Sequence, residues 1–296
     1  MKIAPSTYYY KPKRSPEEEA YEAKLKARIE EIVKEFPGYG YRRVTKKLNR
    51  ECCVNHKKIE RLMQEMELQC KQPRSYKVTT NSNHRFPRYP NLIKGIVPAT
   101  LNQIWVADIT YIGLARGYVY LAAILDLFSR KVIGYALSLS LEASFAMEAL
   151  TMAIENRRPA TGCIHHSDQG VQYACMDYVD ILKEHGIISS MSAKGNPYHN
   201  ANAESFFKTF KYEEVYLNDY QTVNDVAERV PHFLEAVYNA KRLHSSLGYL
   251  SPDEFEELFN NDNSNGSNDN GLDVSLKDFS KDLNGKVNNN TLSARY

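Results

Sequence analysis

The chain has 296 residues, 43% of them apolar and 25% charged, with a formal net charge of +2. That composition is ordinary for a globular protein and excludes a low-complexity or collagen-like chain. No run approaches the roughly 20 apolar residues of a membrane span, and five cysteines without a C-x-x-C pair argue against a disulfide scaffold or a cysteine zinc site. The start Met1-Lys2-Ile3-Ala4-Pro5 has no apolar signal core, which predicts a cytosolic protein.

The charge is unevenly spread. Residues 1–90 carry 21 Lys/Arg against 11 Asp/Glu, a net of +10, whereas residues 91–260 carry 13 against 20, a net of −7. A basic first third beside an acidic middle suits a nucleic-acid-binding module joined to a carboxylate-rich catalytic one. A solvated basic face without a partner fits the charge equally well.

In chain order, residues 1–23 read as a basic arm, with aromatic and basic residues mixed in Tyr8-Tyr9-Tyr10-Lys11-Pro12-Lys13-Arg14. From Lys24, Leu25, Ile29, Ile32, Val33 and Phe36 recur at helical spacing until Pro37-Gly38. Tyr41 to Arg50 is a second short helix, with Val44 and Leu48 inward. Asn55 caps a third, with Ile59, Leu62, Met63 and Met66 as its stripe. Three short helices over residues 24–70 fit a helix-turn-helix module and equally a plain helical bundle. In the first case Arg42, Arg43, Lys57, Lys58 and Arg61 are the candidate DNA contacts. Residues 71–100 hold Pro73, Pro87, Pro90 and Pro98 without periodicity and read as an extended basic linker.

Residues 101–258 then alternate strands and helices. Strands are expected at Trp105–Ile112, Tyr118–Leu125, Val132–Leu139, Cys163–His166 and Ile187–Met191. Helices are expected at Ser144–Ile154 and at about Tyr173–His185, Asn200–Leu217 and Val223–Lys241. The pattern is that of an α/β fold with a mixed sheet of five strands. Residues 259–296 turn to Asn, Asp, Ser and Gly and are expected to be disordered.

Three carboxylates stand out. Asp108 lies inside the apolar strand W-V-A-D-I-T-Y-I, where a buried charge is costly without a partner but tolerable on a face that opens to a cation; taken singly, each Asp also fits a turn or cap. Asp168 ends the strand C-I-H-H-S-D, at the carboxyl end where α/β sheets present chemistry. Glu204 opens a helix, where the macrodipole favours an anion. The 35 residues between Asp168 and Glu204 can carry the chain through a helix and a strand back to the same sheet edge. Hard oxygen ligands of this kind hold Mg²⁺ or Mn²⁺, and two ions about 3.5–4 Å apart serve in-line phosphoryl displacement. On the Glu204 helix, Asn200, Glu204, Lys208 and Lys211 share one polar face, opposite Phe206, Phe207, Phe210 and Leu217. Lys194, Asn200, Lys208 and Lys211 are candidate DNA contacts around the site. Asp126, in L-D-L-F-S-R, reads as a turn residue bonding nearby backbone. Of His165 and His166, only one can face the carboxylates, because neighbours on a strand point to opposite faces.

Five ordered segments resemble a known family: W-V-A-D-I-T-Y-I, L-D-L-F-S-R-K-V-I-G, H-S-D-Q-G-V-Q-Y, G-N-P-Y-H-N-A-N-A-E-S-F-F-K-T-F-K and Y-N-A-K-R-L-H-S-S-L-G-Y-L-S-P. Together they look like the B-frame protein of the two-frame, IS3-family insertion-sequence transposases. P-G-Y-G-Y-R-R-V and V-N-H-K-K-I-E-R-L-M are similar to that family's helix-turn-helix segment. The resemblance spans about residues 1–258. It implies a ribonuclease-H-like, integrase-type catalytic domain preceded by a small all-α module, with Asp108, Asp168 and Glu204 as the metal-binding triad. It implies that Lys211 contacts the transposon end and that Asp126 lies outside the triad. It further implies DNA strand cleavage and strand transfer, terminal inverted repeats and target DNA as partners, a homo-multimer on DNA, and an upstream A-frame product. An inactive regulatory relic and a nuclease that only hydrolyses are the competing readings. A bacterial cytoplasmic protein, nucleoid-associated when bound to DNA, is the expected setting.

Overall fold

The computed structural model describes residues 15–68, 86–192 and 201–265. The chain divides into two compact units, residues 1–73 and 74–296.

The first unit is helical. Helix α1 (Pro16–Glu35) begins earlier than its apolar stripe suggests, because Ser15 caps it. The Ser15 side chain accepts from the Glu18 amide and Glu18 bonds back to the Ser15 amide, with Pro16 in the first turn. The expected arm is therefore shorter: residues 16–23 are helix. Helix α2 (Tyr41–Leu48) follows Gly40, and α3 (His56–Glu65) starts where Asn55 accepts from the Lys57 amide. Leu25, Ile29 and Ile32 of α1, Val44 and Leu48 of α2, and Ile59, Leu62 and Met63 of α3 are buried, with Phe36 stacked on Tyr39 at 4.5 Å. Glu22, also buried, takes ion pairs from Lys58 and Arg61.

The second unit is built on five strands: β1 (Ile104–Gly113), β2 (Tyr118–Asp126), β3 (Val132–Ser138), β4 (Ile164–Ser167) and β5 (Ile188–Met191). Their order is β3-β2-β1-β4-β5. The first three form an antiparallel meander, and β4 and β5 lie parallel to β1. Strand alternation sorts the core into two layers. Ile104, Val106, Leu121, Ala123 and Leu125 face α7 (Ala201–Glu213) and α8 (Val223–His232) through Phe206, Phe207, Phe210, Val226 and Val230. Trp105, Ala107, Ala122, Ile124 and Ile133 face α4 (Ala143–Arg157), α5 (Val171–Ala174) and α6 (Met176–Glu184) through Phe145, Ala149, Leu150, Tyr173 and Tyr178. The fold is the mixed five-stranded, helix-flanked sheet expected.

Five local differences stand out. The helix expected after Asp168 is two, α5 and α6, broken at Cys175, whose backbone is extended. The last long helix turns into a π-helix over Phe233–Asn239 directly after Pro231, which has no amide to donate. Helix α7 ends at Glu213, and a 3-10 turn (Val215–Leu217) shifts the helical phase, so Leu217 is 52% exposed instead of packed with the phenylalanines. Helix α9 (Pro252–Asn265) carries regular structure past residue 259. Residues 90–92, expected in the linker, lie against the sheet edge: Leu92 donates its amide to Ser190 Oγ at 2.9 Å, and Met191 donates to the Pro90 carbonyl. No helix among the described residues is long and apolar enough to cross a membrane.

Candidate active site

Asp108 and Asp168 are brought together by strand register. In the parallel pair β1–β4, Ile104 lies beside Ile164, Trp105 beside His165 and Val106 beside His166. Continuing that offset sets Asp108 level with Asp168, one residue beyond the end of β4. Because β4 stops at Ser167, no strand covers β1 there and both carboxyl groups can reach the surface. One oxygen of each is held by local backbone. Asp108 Oδ1 accepts from the Ile109 amide and Asp168 Oδ1 from the Gly170 amide, both at 2.8 Å. Gly170 must be glycine-sized, since a Cβ there would sit 2.9 Å from Asp168 Oδ1.

The electrostatics are those of like charges forced together. The Asp108 carboxyl is pushed up to about 8, first by burial, then by Asp168, with a smaller contribution from Glu204. Although part of Asp108 reaches the surface, protein atoms crowd its carboxyl. Lys211 offsets some of this charge. Its own ammonium is shifted down by partial burial and back up by Asp108, and lies 4.4 Å from the Tyr111 ring centre. Glu204 stands exposed in the first turn of α7, on the helix that covers the Asp108 face, and partial burial shifts it upward. Among the described residues no three His, Cys, Asp or Glu side chains already form a metal cage. The tight element is thus the aspartate pair, with Glu204 farther out.

The other expectations separate cleanly. Asp126 is fully buried and accepts from the amides of Asn102 (2.6 Å), Phe128 (2.8 Å) and Ser129 (3.1 Å), a turn-building role. His165 packs on the α5–α6 side and bonds Tyr178 Oη at 2.9 Å. His166, on the other side, bonds Ser190 Oγ at 2.9 Å. Lys208 is exposed, with its ammonium 5.9 Å from the Tyr212 ring. Lys194 and Asn200 lie outside the described residues. In the first unit Arg42 and Lys57 are exposed, and Arg43 lies over Tyr39. Lys58 lies over Tyr21 as well as beside Glu22, and Arg61 pairs with Glu22 and Glu65, so both are committed within the unit.

Sequence reasoning missed three contributors. Tyr111 carries the Lys211 ammonium. Tyr173 is buried with its hydroxyl within electrostatic reach of both aspartates. Arg130, in a left-handed turn conformation (φ 63°), donates to Asn202 Oδ1 near the start of α7. No spacing rule links Arg130 to Asn202; only the fold does.

Residues 99–197 and 185–252 match family models described as "Integrase core domain", and residues 20–76 match one described as "HTH-like domain". An insertion element IS600 31 kDa protein of Shigella sonnei is 39% identical over 223 residues, 75% of this chain and 82% of that one. The putative transposase InsK of insertion element IS150 from Escherichia coli K12 is 38% identical over 260 residues, 86% of this chain and 89% of its own length. Transposase InsF of IS3A, also from E. coli K12, is 36% identical over 220 residues, 74% of this chain and 76% of its own.

Proposed function

The chain belongs to the IS3-type insertion-sequence transposases with an integrase-like catalytic core, and on that footing we propose that it cleaves and joins DNA strands with Asp108, Asp168 and Glu204 as a divalent-metal triad. The observation that carries the assignment is the β1–β4 register, which sets Asp108 level with Asp168 just past the end of β4, with Asp108 raised to about 8 by burial and by its acidic neighbours. Carboxylates crowded together at such cost are stabilised by a cation, so the donor set fits Mg²⁺ or Mn²⁺. Glu204 would complete the donor set with metal and DNA bound. When bound, two such ions would supply Lewis-acid charge for the attacking and leaving oxygens of a phosphodiester displacement.

The chain's own groups prepare that chemistry. The Ile109 and Gly170 amides fix one oxygen of each aspartate. Lys211, steadied on Tyr111, places a cation beside Asp108, where a DNA phosphate would arrive. In cleavage, water attacks the phosphodiester at the transposon end and a 3′-hydroxyl leaves. In strand transfer that hydroxyl attacks a second phosphodiester in the target, and the attacked strand's own 3′-oxygen leaves as a hydroxyl, taking up the proton that the attacking hydroxyl loses. Neither step needs a covalent protein nucleophile.

The first unit, with Arg42, Arg43 and Lys57 on α2 and α3, supplies much of the affinity for the terminal inverted repeats. Holding two ends together requires a homo-multimer on the DNA, at the bacterial nucleoid. The upstream A-frame product, fused to this chain, completes the competent enzyme. The test is strand transfer from a pre-cut end with Mg²⁺ or Mn²⁺, alongside cleavage of an intact end. Asp168→Asn, Asp108→Asn and Glu204→Gln should each abolish both reactions while DNA binding persists. Near-wild-type cleavage by Asp168→Asn would overturn the assignment. Cleavage without strand transfer by the unaltered chain would make it a nuclease only.

A further inference from the structure

Next to the acidic pair lies a cluster that the triad chemistry does not use. Tyr111 is three residues along β1 from Asp108, about 10 Å of strand. Its ring meets Tyr118 of β2 edge-on at 5.4 Å and carries the Lys211 ammonium at 4.4 Å. Past the end of α7, Tyr216 meets Tyr212 edge-on at 5.6 Å, and Lys208 lies 5.9 Å from the Tyr212 ring. The two halves share α7, which carries Lys208, Lys211 and Tyr212 within little more than one turn. Tyr118 is 45% and Tyr216 42% exposed. Four phenol rings interleaved with two lysines thus run from the surface to the candidate active site.

We propose that Tyr111, Tyr118, Tyr212 and Tyr216, with Lys208 and Lys211, form a stacking platform for unpaired bases of the DNA strand end whose phosphodiester is processed at Asp108 and Asp168. Stacking accepts any base because each has a π-face, and the lysines, which lie over the Tyr111 and Tyr212 rings, match the phosphates between bases. A blunt duplex exposes only the outer face of its terminal pair, whereas unpaired bases can stack on several rings in succession, so the platform favours ends whose terminal pairs are opened. The inference rests on the triad reading for its location, since the platform leads to those aspartates.

The test uses the full chain and two DNA probes of one sequence, one blunt and one with a short 3′ single-stranded tail containing 2-aminopurine. The unaltered protein should quench 2-aminopurine fluorescence in the tail. Tyr216→Ala and Tyr118→Ala should each weaken binding to the tailed probe about tenfold and relieve the quench, while binding to the blunt probe stays in place. Tyr216→Phe, which keeps the ring, should behave as the unaltered protein. Equal losses on both probes, or a quench that survives both alanine variants, would overturn the platform. Asp168→Asn assayed in parallel keeps the two ideas apart: it should retain the quench and lose cleavage. Cleavage surviving in Asp168→Asn sinks the triad, and a missing quench in the unaltered chain sinks the platform.

Discussion

Arg242 and Glu213 form a buried ion pair whose removal gives a calculable loss. Arg242 Nε donates to Glu213 Oε2 at 2.7 Å and Nη2 to Oε1 at 2.8 Å, the two-pronged geometry that only arginine offers. The side chains are 4% and 7% exposed. Arg242 also lies over the Tyr238 ring and within 3.4 Å of His244 Nε2. Glu213 closes α7, the helix that carries Glu204, so the pair ties the C-terminal segment to the candidate catalytic helix. Arg242→Met strands the carboxylate in the interior. Breaking one partner of such a pair costs about 3–5 kcal/mol. For a unit of this size each kcal/mol moves the midpoint by about 2–4 °C, so the loss should be roughly 6–20 °C. The double variant Arg242→Met/Glu213→Leu removes both charges and should recover most of it. Arg242→Lys keeps the charge but not the fork, and should also lower cleavage at a temperature where it remains folded, by loosening α7. Thermal and urea unfolding of the single and double variants measure the pair, and end cleavage reads its effect on Glu204. A loss below about 1 kcal/mol in Arg242→Met, or a double variant less stable than the single, would refute the reasoning.

Gly134→Ala should destabilise by about 2 kcal/mol or more, since its Cβ would sit 2.2 Å from the Ala149 carbonyl oxygen and 2.7 Å from the Ala153 amide nitrogen; urea unfolding measures it. Burial, reinforced by His166, lowers His165 to about 3. Its folded value lies below the unfolded one near 6.5, so its stabilising contribution is complete above pH 6.5 and is lost as pH falls toward 3. Between pH 6.5 and 5 the unaltered protein should therefore lose about 2 kcal/mol more than His165→Gln; parallel slopes would contradict this. Asp126→Ala removes an acceptor shared by three amides and should cost about 3 kcal/mol. Asp126→Asn, which can still accept, should cost less and keep metal-dependent cleavage, whereas loss of cleavage in folded Asp126→Asn would bring Asp126 into the site.

What the sequence alone determined follows from short-range rules. Period-2 and period-3.6 patterns marked all five strands and most helices, because one face of each element must be apolar. Asn55 announced its helix as a cap, and Asp126 its turn, because both act within a few residues. The carboxylates were legible because charges in an apolar strand, at a strand end and at a helix start each call for a reason. Other features depended on contacts between distant segments. The level placement of Asp108 with Asp168 comes from the β1–β4 register, and that of Arg242 with Glu213 from packing of the C-terminal segment on α7. The docking of residues 90–92 on β5 hides in an aperiodic stretch, since an extended segment bonded through backbone leaves no pattern in its side chains. Leu217 left the expected apolar face once a 3-10 turn changed the phase. Tyr111 and Lys211, a hundred residues apart in the chain, meet only in the folded molecule. Local propensity and patterning decided the elements; register and side-chain packing, which couple residues a hundred positions apart, decided which charges and rings share a site.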